Sequence, residues 1–399
     1  MTVAIAAAPP APQRLAAKCI AWILCAALCG LTWGQPVGSV AVASAALVPM
    51  LWATSGDRWT AGAAVLAFQL MASRGMPLST GIFFADTAPS WFGWALWLAM
   101  GVANALPWLV FWRTGRAKAW GLIGALAITT LPPLGVIGWA NPLTSAGSFF
   151  PGLGFAGLTL LCLAWVAVAL RKRSAALAIV LVAAGANVAN WGNGPSAIRW
   201  HGKDTHYGKL STAVDAALSA YQRLMDVEDI ATSMPADTTL VLPETILGQY
   251  TSATARMLSD TRIALKAKHS TVLVGAEAIN DDGSRDNVLV SIGRSDSIIR
   301  QRVPIPIGMW RPWADDSVSM HLFDSGVTAI DGRRVAPLIC YEQLLTFPVL
   351  VSMASGADLI VGVANAWWAR GTSAPAIQAQ ALSSWARLFG VPVVHATNL

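Results

Sequence analysis

Charged residues are scarce in this chain: Asp, Glu, Lys and Arg make up 12% of its 399 residues, while apolar types make up 55%. A soluble protein usually carries about 25% charged residues, so an ordinary cytosolic globule is excluded. Acids are scarcer still in the first half. Residues 1–191 hold ten lysines and arginines but only Asp57 and Asp86, a net charge of +8. Residues 192–399 hold seventeen against nineteen acids, a net charge of −2. The basic excess lies in short loops between apolar runs, so the high isoelectric point does not argue for direct nucleic-acid binding.

Other absences narrow the chemistry. His201 and His206 stand close together, but no Cys or acid completes a ligand set at metal spacing. His269, His321 and His395 are scattered, so no metal and no cofactor is expected. There is no G-x-S-x-G elbow for a serine hydrolase. The glycine-rich GLGFAG (152–157) lies in an apolar run with no strand before it, so it does not read as a phosphate loop. No repeat or low-complexity tract is present.

What the first half does have is apolar length. Seven runs approach the roughly 20 residues that a membrane-crossing helix needs: 17–33, 37–54, 60–76, 90–112, 119–140, 147–170 and 175–191. Trp33, Trp59, Trp91, Trp112, Trp120, Trp139 and Trp191 cluster at run ends, as in an interfacial aromatic belt. With seven crossings, Arg14/Lys18, Arg58, Arg113/Arg116/Lys118 and Arg171–Arg173 all fall on one side. The positive-inside rule makes that side cytoplasmic. The expectation is a multi-pass protein of the bacterial inner membrane over 1–191, N-terminus cytoplasmic, with residues 192–399 exported to the periplasm. A transporter is disfavoured, because the runs hold almost no ionisable residues of the kind that mark a pathway.

The second half reads as alternating strands and helices. The strand-like runs are TTLVLPE (238–244), STVLVGAEA (270–278), NVLVSIG (287–293), VAPLIC (335–340), ADLIVGVAN (357–365) and VPVVHATN (391–398). Helical stretches fall at 209–231 and 374–390, and WGNGPSA (191–197) is the nearest thing to a linker. This alternation argues for a layered α/β fold. Of the five cysteines, Cys19, Cys25, Cys29 and Cys162 lie in the apolar runs, and only Cys340 in the exported half. A lone cysteine in an oxidising compartment needs a reason. Cys340 and Glu244 each end a strand-like run, where functional side chains of α/β sheets gather. Together they make a base and a nucleophile. A packing cysteine and a helix-start acid are the alternatives, and the residues alone leave both open.

Read together, these motifs resemble the nitrilase (carbon–nitrogen hydrolase) superfamily. LVLPET (240–245) is similar to its Pro-Glu strand, PIGMWRP (306–312) to its P-F-G-E loop, and ICYE (339–342) to its C-Y-E elbow. NAWWARG (365–371) and GVPVVHATN (390–398) are similar to the following loop and strand. With seven apolar runs ahead, the chain resembles the apolipoprotein N-acyltransferases. It resembles more closely the nitrilase-like membrane proteins of plasmid conjugal transfer regions. The resemblance implies a polytopic α-helical membrane domain (1–191) followed by an α/β nitrilase-like α-β-β-α sandwich (192–399). It implies an acyl transfer through a Cys340 thioester, with Glu244 as base, phospholipid as donor and an amine, such as a protein N-terminus, as acceptor. The backbone N–H of Tyr341 would meet the oxyanion, beside Glu342 of the elbow. Trp310, Trp313, Trp367, Trp368 and Asn365 would line the site; the tryptophans either dip into the membrane surface or pack as core residues of the sandwich, and the residues alone leave both open.

The departures are specific. The family lysine belongs in IIRQRVPIP (298–306), which has none, leaving Arg300 or Arg302 to supply charge. Met309 replaces the loop glutamate, Leu388 stands where an acid is expected, and the family continues past the point matching Leu399. The competing expectation is therefore a catalytically silent nitrilase-fold scaffold of the conjugation apparatus.

Overall fold

The computed structural model describes residues 11–85, 87–192, 198–209, 216–280 and 283–399, with 11–15 as backbone only. Asp86, the side chain of Arg14 and most of the expected linker lie outside the described residues.

The first half is helical. It runs α1 (Ala11–Thr32), α2 (Val40–Ala43), α3 (Leu47–Thr54), α4 (Arg58–Ala72), α5 (Met76–Phe83), α6 (Phe92–Val110), α7 (Ala117–Thr130), α8 (Ala146–Phe149), α9 (Gly154–Ala169) and α10 (Arg173–Ala189). Asp57 starts α4 by accepting from the Trp59 and Thr60 amides at 2.9 and 2.8 Å. Helices α3, α4, α6, α7 and α9 are shorter than the apolar runs they overlap. Among the described residues only α6 is long and apolar enough to cross a bilayer alone; a second candidate arises if Pro142–Phe149 and α9, bent by 113°, count as one span. At about 1.5 Å per residue, helices of about 14–17 residues fall short of the ~30 Å hydrocarbon core.

The shortfall has a physical cause in the fifth and sixth runs. Residues 131–153 are apolar, yet they form 3₁₀ turns, loops and the single turn α8, with Pro132, Pro133, Pro142 and Pro151 removing amide donors. Their apolar side chains face protein: Val136, Trp139, Leu143, Ala146 and Phe150 share one core with Leu344, Leu382 and Trp385. The aromatic belt is corrected likewise. Trp59, Trp91, Trp120 and Trp191 are exposed, but Trp33, Trp112 and Trp139 are buried in the helical core.

The second half carries two sheets. The first runs β1 (Trp200–Gly202), β2 (Thr239–Val241), β3 (Thr271–Ile279), β4 (Arg285–Gly293) and β5 (Ser297–Arg300), in that order; β1–β3 are parallel and β3–β5 antiparallel. The second runs β6 (Thr328–Ile330), β7 (Arg333–Ile339), β8 (Leu359–Asn365) and β9 (Val393–Asn398), with β7–β9 parallel. Strand alternation sorts the side chains. Val241, Leu273 and Leu289 meet Val335, Val361 and Val394 between the sheets. Val272, Val274, Val288 and Val290 face outward onto α11 (Ala216–Ser233) and α13 (Ser259–Ala267), with α12 (Ser252–Met257) leading into the latter. Ala336, Leu338 and Ile360 face α14 (Thr346–Ala354) and α15 (Ala374–Phe389). The order of layers is helix, sheet, sheet, helix. Short strands β1, β5 and β6 have no expected counterpart, because three or four residues give too little periodicity to read.

Helix α15 is the joint between the halves. Gly34 N–H donates to Gln380 at 2.9 Å, Ser384 Oγ to the Thr144 carbonyl at 2.5 Å, and Arg387 to Asn187 Oδ1 at 2.6 Å. Gly147 makes this approach possible, since a Cβ there would lie 1.8 Å from the Ser384 carbonyl oxygen.

Candidate active site

Glu244 and Cys340 follow the carboxyl ends of β2 and β7, one on each sheet, and face each other across the sandwich. Both are buried, at 3% exposure each. Gly275 lets β3 pass close beneath the acid: a Cβ there would sit 2.3 Å from the Glu244 Cα. Cys340 has φ +55°, in the left-handed region that a β-carbon disfavours. The strain is held by neighbours on both sides. Gln378 of α15 donates to the Cys340 carbonyl at 3.0 Å, and Ile339 N–H donates to Glu342 Oε2 at 3.0 Å.

The Glu244 carboxylate accepts from Asn287 Nδ2 at 2.5 Å and from the Asn365 N–H at 2.7 Å, and it is hydrogen-bonded to the Cys340 thiol. Burial pushes the Glu244 carboxyl up to about 7, against the pull of these hydrogen bonds. Burial, then the Glu244 charge, hold the thiol well above its usual range; the Tyr341 and Asn365 amides pull the other way. The resting pair is thus a thiol beside a carboxyl poised near neutrality, the match that a general base requires.

The other expected residues are placed as follows. Tyr341 presents its N–H to the thiol. Its hydroxyl donates to the Gly138 carbonyl at 2.9 Å and accepts from the Gly138 N–H at 2.8 Å. Tyr341→Phe is expected to cost about 1–2 kcal/mol by cutting this link between the halves. A thermal melt unchanged from wild type would show that the joint does not depend on it. Glu342 turns away from the site, accepting from the Arg302 and Val303 amides at 2.5 and 2.9 Å as well as from Ile339. It is a positioning residue.

Arg300 and Arg302 do not reach the pair. Arg300 is half exposed and bonds Asp286 at 2.9 Å; Arg302 is buried against Glu342 at 3.9 Å and donates to Ser352 at 3.0 Å. Each arginine is held by another carboxylate, and the residue between them bonds the Asn287 that holds Glu244. Gln301, buried at 1% exposure, accepts from Asn287 Nδ2 at 3.0 Å and donates to the Ile339 carbonyl at 2.9 Å. The sequence does not single out Asn287 or Gln301, although Asn287 opens the strand-like run NVLVSIG and Gln301 lies in the segment where the resemblance expects the lysine.

Two cavities reach the cysteine. One, of about 890 Å³, is lined by Glu244, Cys340, Asn365, Trp367 and Trp368, with Glu277, Arg285 and Arg311 farther out. The other, of about 250 Å³, is apolar; Leu96, Ala99, Met100 and Ala103 of α6 line it with Cys340, Tyr341 and Trp368. Trp310 and Trp313 line neither of these cavities, and Trp313 is exposed.

No protein-family model matches the chain. Among solved structures, it is similar to an amidase from Nesterenkonia sp., with a TM-score of 0.35 and 14% identity over 50% of this chain and 75% of that one. A form of the same amidase carrying a covalent adduct at its active-site cysteine gives a TM-score of 0.36. Curated relatives match more fully. The conjugal transfer protein TraB of Agrobacterium fabrum (strain C58) is 37% identical over 376 residues, 89% of this chain and 87% of the relative. The probable conjugal transfer protein TraB of Sinorhizobium fredii (strain NBRC 101917 / NGR234) is 33% identical over 366 residues, 88% and 90% of the two chains. With such identity along nearly the whole of both sequences, the chain belongs to the TraB family of conjugal transfer proteins.

Proposed function

We propose that this protein is an inner-membrane acyltransferase of nitrilase type that serves conjugal transfer, moving an acyl group from a phospholipid to an amine through a Cys340 thioester. One observation carries the reading: the Cys340 thiol, hydrogen-bonded to Glu244, lines at once an apolar cavity and a second one whose walls include charged and polar groups. An apolar chain has a place on one side of the sulfur, and a polar acceptor on the other.

In this scheme Glu244 takes the Sγ proton as sulfur attacks the ester carbonyl. The oxyanion faces the Tyr341 N–H, and Glu244 returns the proton to the departing alcohol. An amine then attacks the thioester and gives its proton to Glu244. The thiolate leaves and is reprotonated, and the product is an amide. Only ionised Glu244 can start this cycle, so acylation is expected to rise about tenfold per pH unit below pH ~7 and level off above it. Stopped samples of the acyl-enzyme across pH 5–9 measure this. A rate that does not change across that range would remove Glu244 as the base.

The membrane setting has its own support. Leu24 and Leu28 of α1, Leu98 and Leu106 of α6, and Val180 and Leu181 of α10 are all exposed, an arrangement that water penalises and lipid does not. The helix ends also sort by charge. Lys118 donates to the carbonyls of Ala53 and Ser55, gathering the basic loops at one end. The opposite ends, at Gly34, Gly138, Thr144 and Asn187, meet the α/β half. This favours a cytoplasmic N-terminus and a periplasmic α/β half. Short helices fit through local bilayer thinning.

A second reading, a silent scaffold of the transfer apparatus, is favoured by Gln301: in the segment expected to hold a lysine, the residue that bonds the pair's neighbours Asn287 and Ile339 is neutral.

A further inference from the structure

The two cavities share four lining residues: Phe83, Ile305, Cys340 and Trp368. Phe83 is the last residue of α5, in the helical half; Trp368 lies in the loop after β8, in the α/β half. Their rings meet edge to face, with centroids 6.0 Å apart. Each ring is anchored on its own side. Trp368 Nε1 donates to the Asn365 carbonyl at 2.9 Å, next to the amide that bonds Glu244. Phe83 meets Phe84 edge to face with centroids 5.0 Å apart, and Phe84 meets Phe92 of α6 likewise at 5.3 Å.

Cys340 lies in this shared wall, 3% exposed although two cavities border it. At 3% exposure, little of Cys340 is open to either cavity in this arrangement. The wall has to part, and its two aromatic halves belong to different halves of the protein. We propose that Phe83 and Trp368 form a gate between the two cavities, which decides when the Cys340 sulfur becomes accessible. The gate rests on the acyl-transfer reading for its purpose, but not for its test. In the closed state it also keeps cavity water off an acyl group bound to sulfur, favouring amide formation over hydrolysis to the free acid.

The test is thiol accessibility on the full-length protein in detergent. N-ethylmaleimide is added, and each cysteine is followed by peptide mass, with Cys19, Cys25, Cys29 and Cys162 as internal controls. Phe83→Ala is expected to speed labelling of Cys340 alone by about 10-fold, the factor that the ~1.4 kcal/mol of an edge-to-face pair converts to. Phe83→Leu keeps an apolar plug and should give a smaller increase at the same site. It also serves if the alanine variant does not fold. Unchanged Cys340 labelling in the folded variants, or an equal rise at all five cysteines, would overturn the gate. The acyl-enzyme gives a separate readout: with phospholipid and no amine, its lifetime should shorten about 10-fold in Phe83→Ala by the same conversion. If no variant forms an acyl-enzyme, acyl transfer fails as a reading, while the labelling result still decides the gate.

Discussion

Incubated with phospholipid and no amine, the wild-type protein is expected to gain one acyl mass that hydroxylamine removes, and Cys340→Ala is expected to gain none. This is an all-or-none effect, since a thioester cannot form without the sulfur. The alanine variant is the necessary control, because Cys19, Cys25, Cys29 and Cys162 are also free thiols. The substitution should leave the fold intact. Cys340 holds its place through its backbone, by the Gln378 bond to its carbonyl and the Glu342 clamp on Ile339, and Ala keeps both. Glu244→Gln should slow adduct formation by about 10²–10⁴-fold, the usual worth of a general base. In mating assays, loss of transfer with normal levels of Cys340→Ala protein would tie the chemistry to conjugation. Absence of an adduct, with transfer surviving in Cys340→Ala, would instead make Cys340 a packing residue and the protein a scaffold.

The long strands were legible because their signal is strong. NVLVSIG and ADLIVGVAN are β-branched runs, and the structure places β4 and β8 over them within two residues. Glu244 and Cys340 were legible as strand-end residues, and the sheets bring them into hydrogen-bonding contact. The role of residues 131–153 was not legible. Apolar content records burial, and burial beneath α15 gives the same composition as burial in lipid. Phe83 was hidden for a related reason: nothing local marks one phenylalanine of a helix as the wall of a site whose Glu244 and Cys340 lie far along the chain. Arg300 and Arg302 drew attention because charge was missing. The register past the end of β5 sends Arg300 to Asp286 and the buried Arg302 to Glu342 and Ser352, and sets the neutral residue between them against Asn287 and the Ile339 carbonyl.

That register makes Gln301→Lys the most informative gain-of-function change. Among the described residues no cation is hydrogen-bonded to the pair, so the oxyanion that develops once Glu244 has taken the proton is met by the Tyr341 N–H without a positive charge beside it. A buried ammonium at 301 would oppose this charge, and an oxyanion-type donor is worth about 10²–10³ in rate. The surroundings can receive it. Asn287 Oδ1 is buried without a hydrogen-bond partner, and the Ile339 carbonyl already accepts from residue 301. Glu244, now held up to about 7, should also fall once a cation neighbours it, and the pH profile of acylation should shift acidward. Single-turnover acylation of Gln301→Lys beside wild type, at pH 6 and pH 8, measures both effects. A gain at pH 6 larger than at pH 8 would identify position 301 as the residue that sets how active this site is. A folded Gln301→Lys protein with no gain at either pH would mean that supplying the charge is not enough, and the scaffold reading would then stand on the strongest ground available to it.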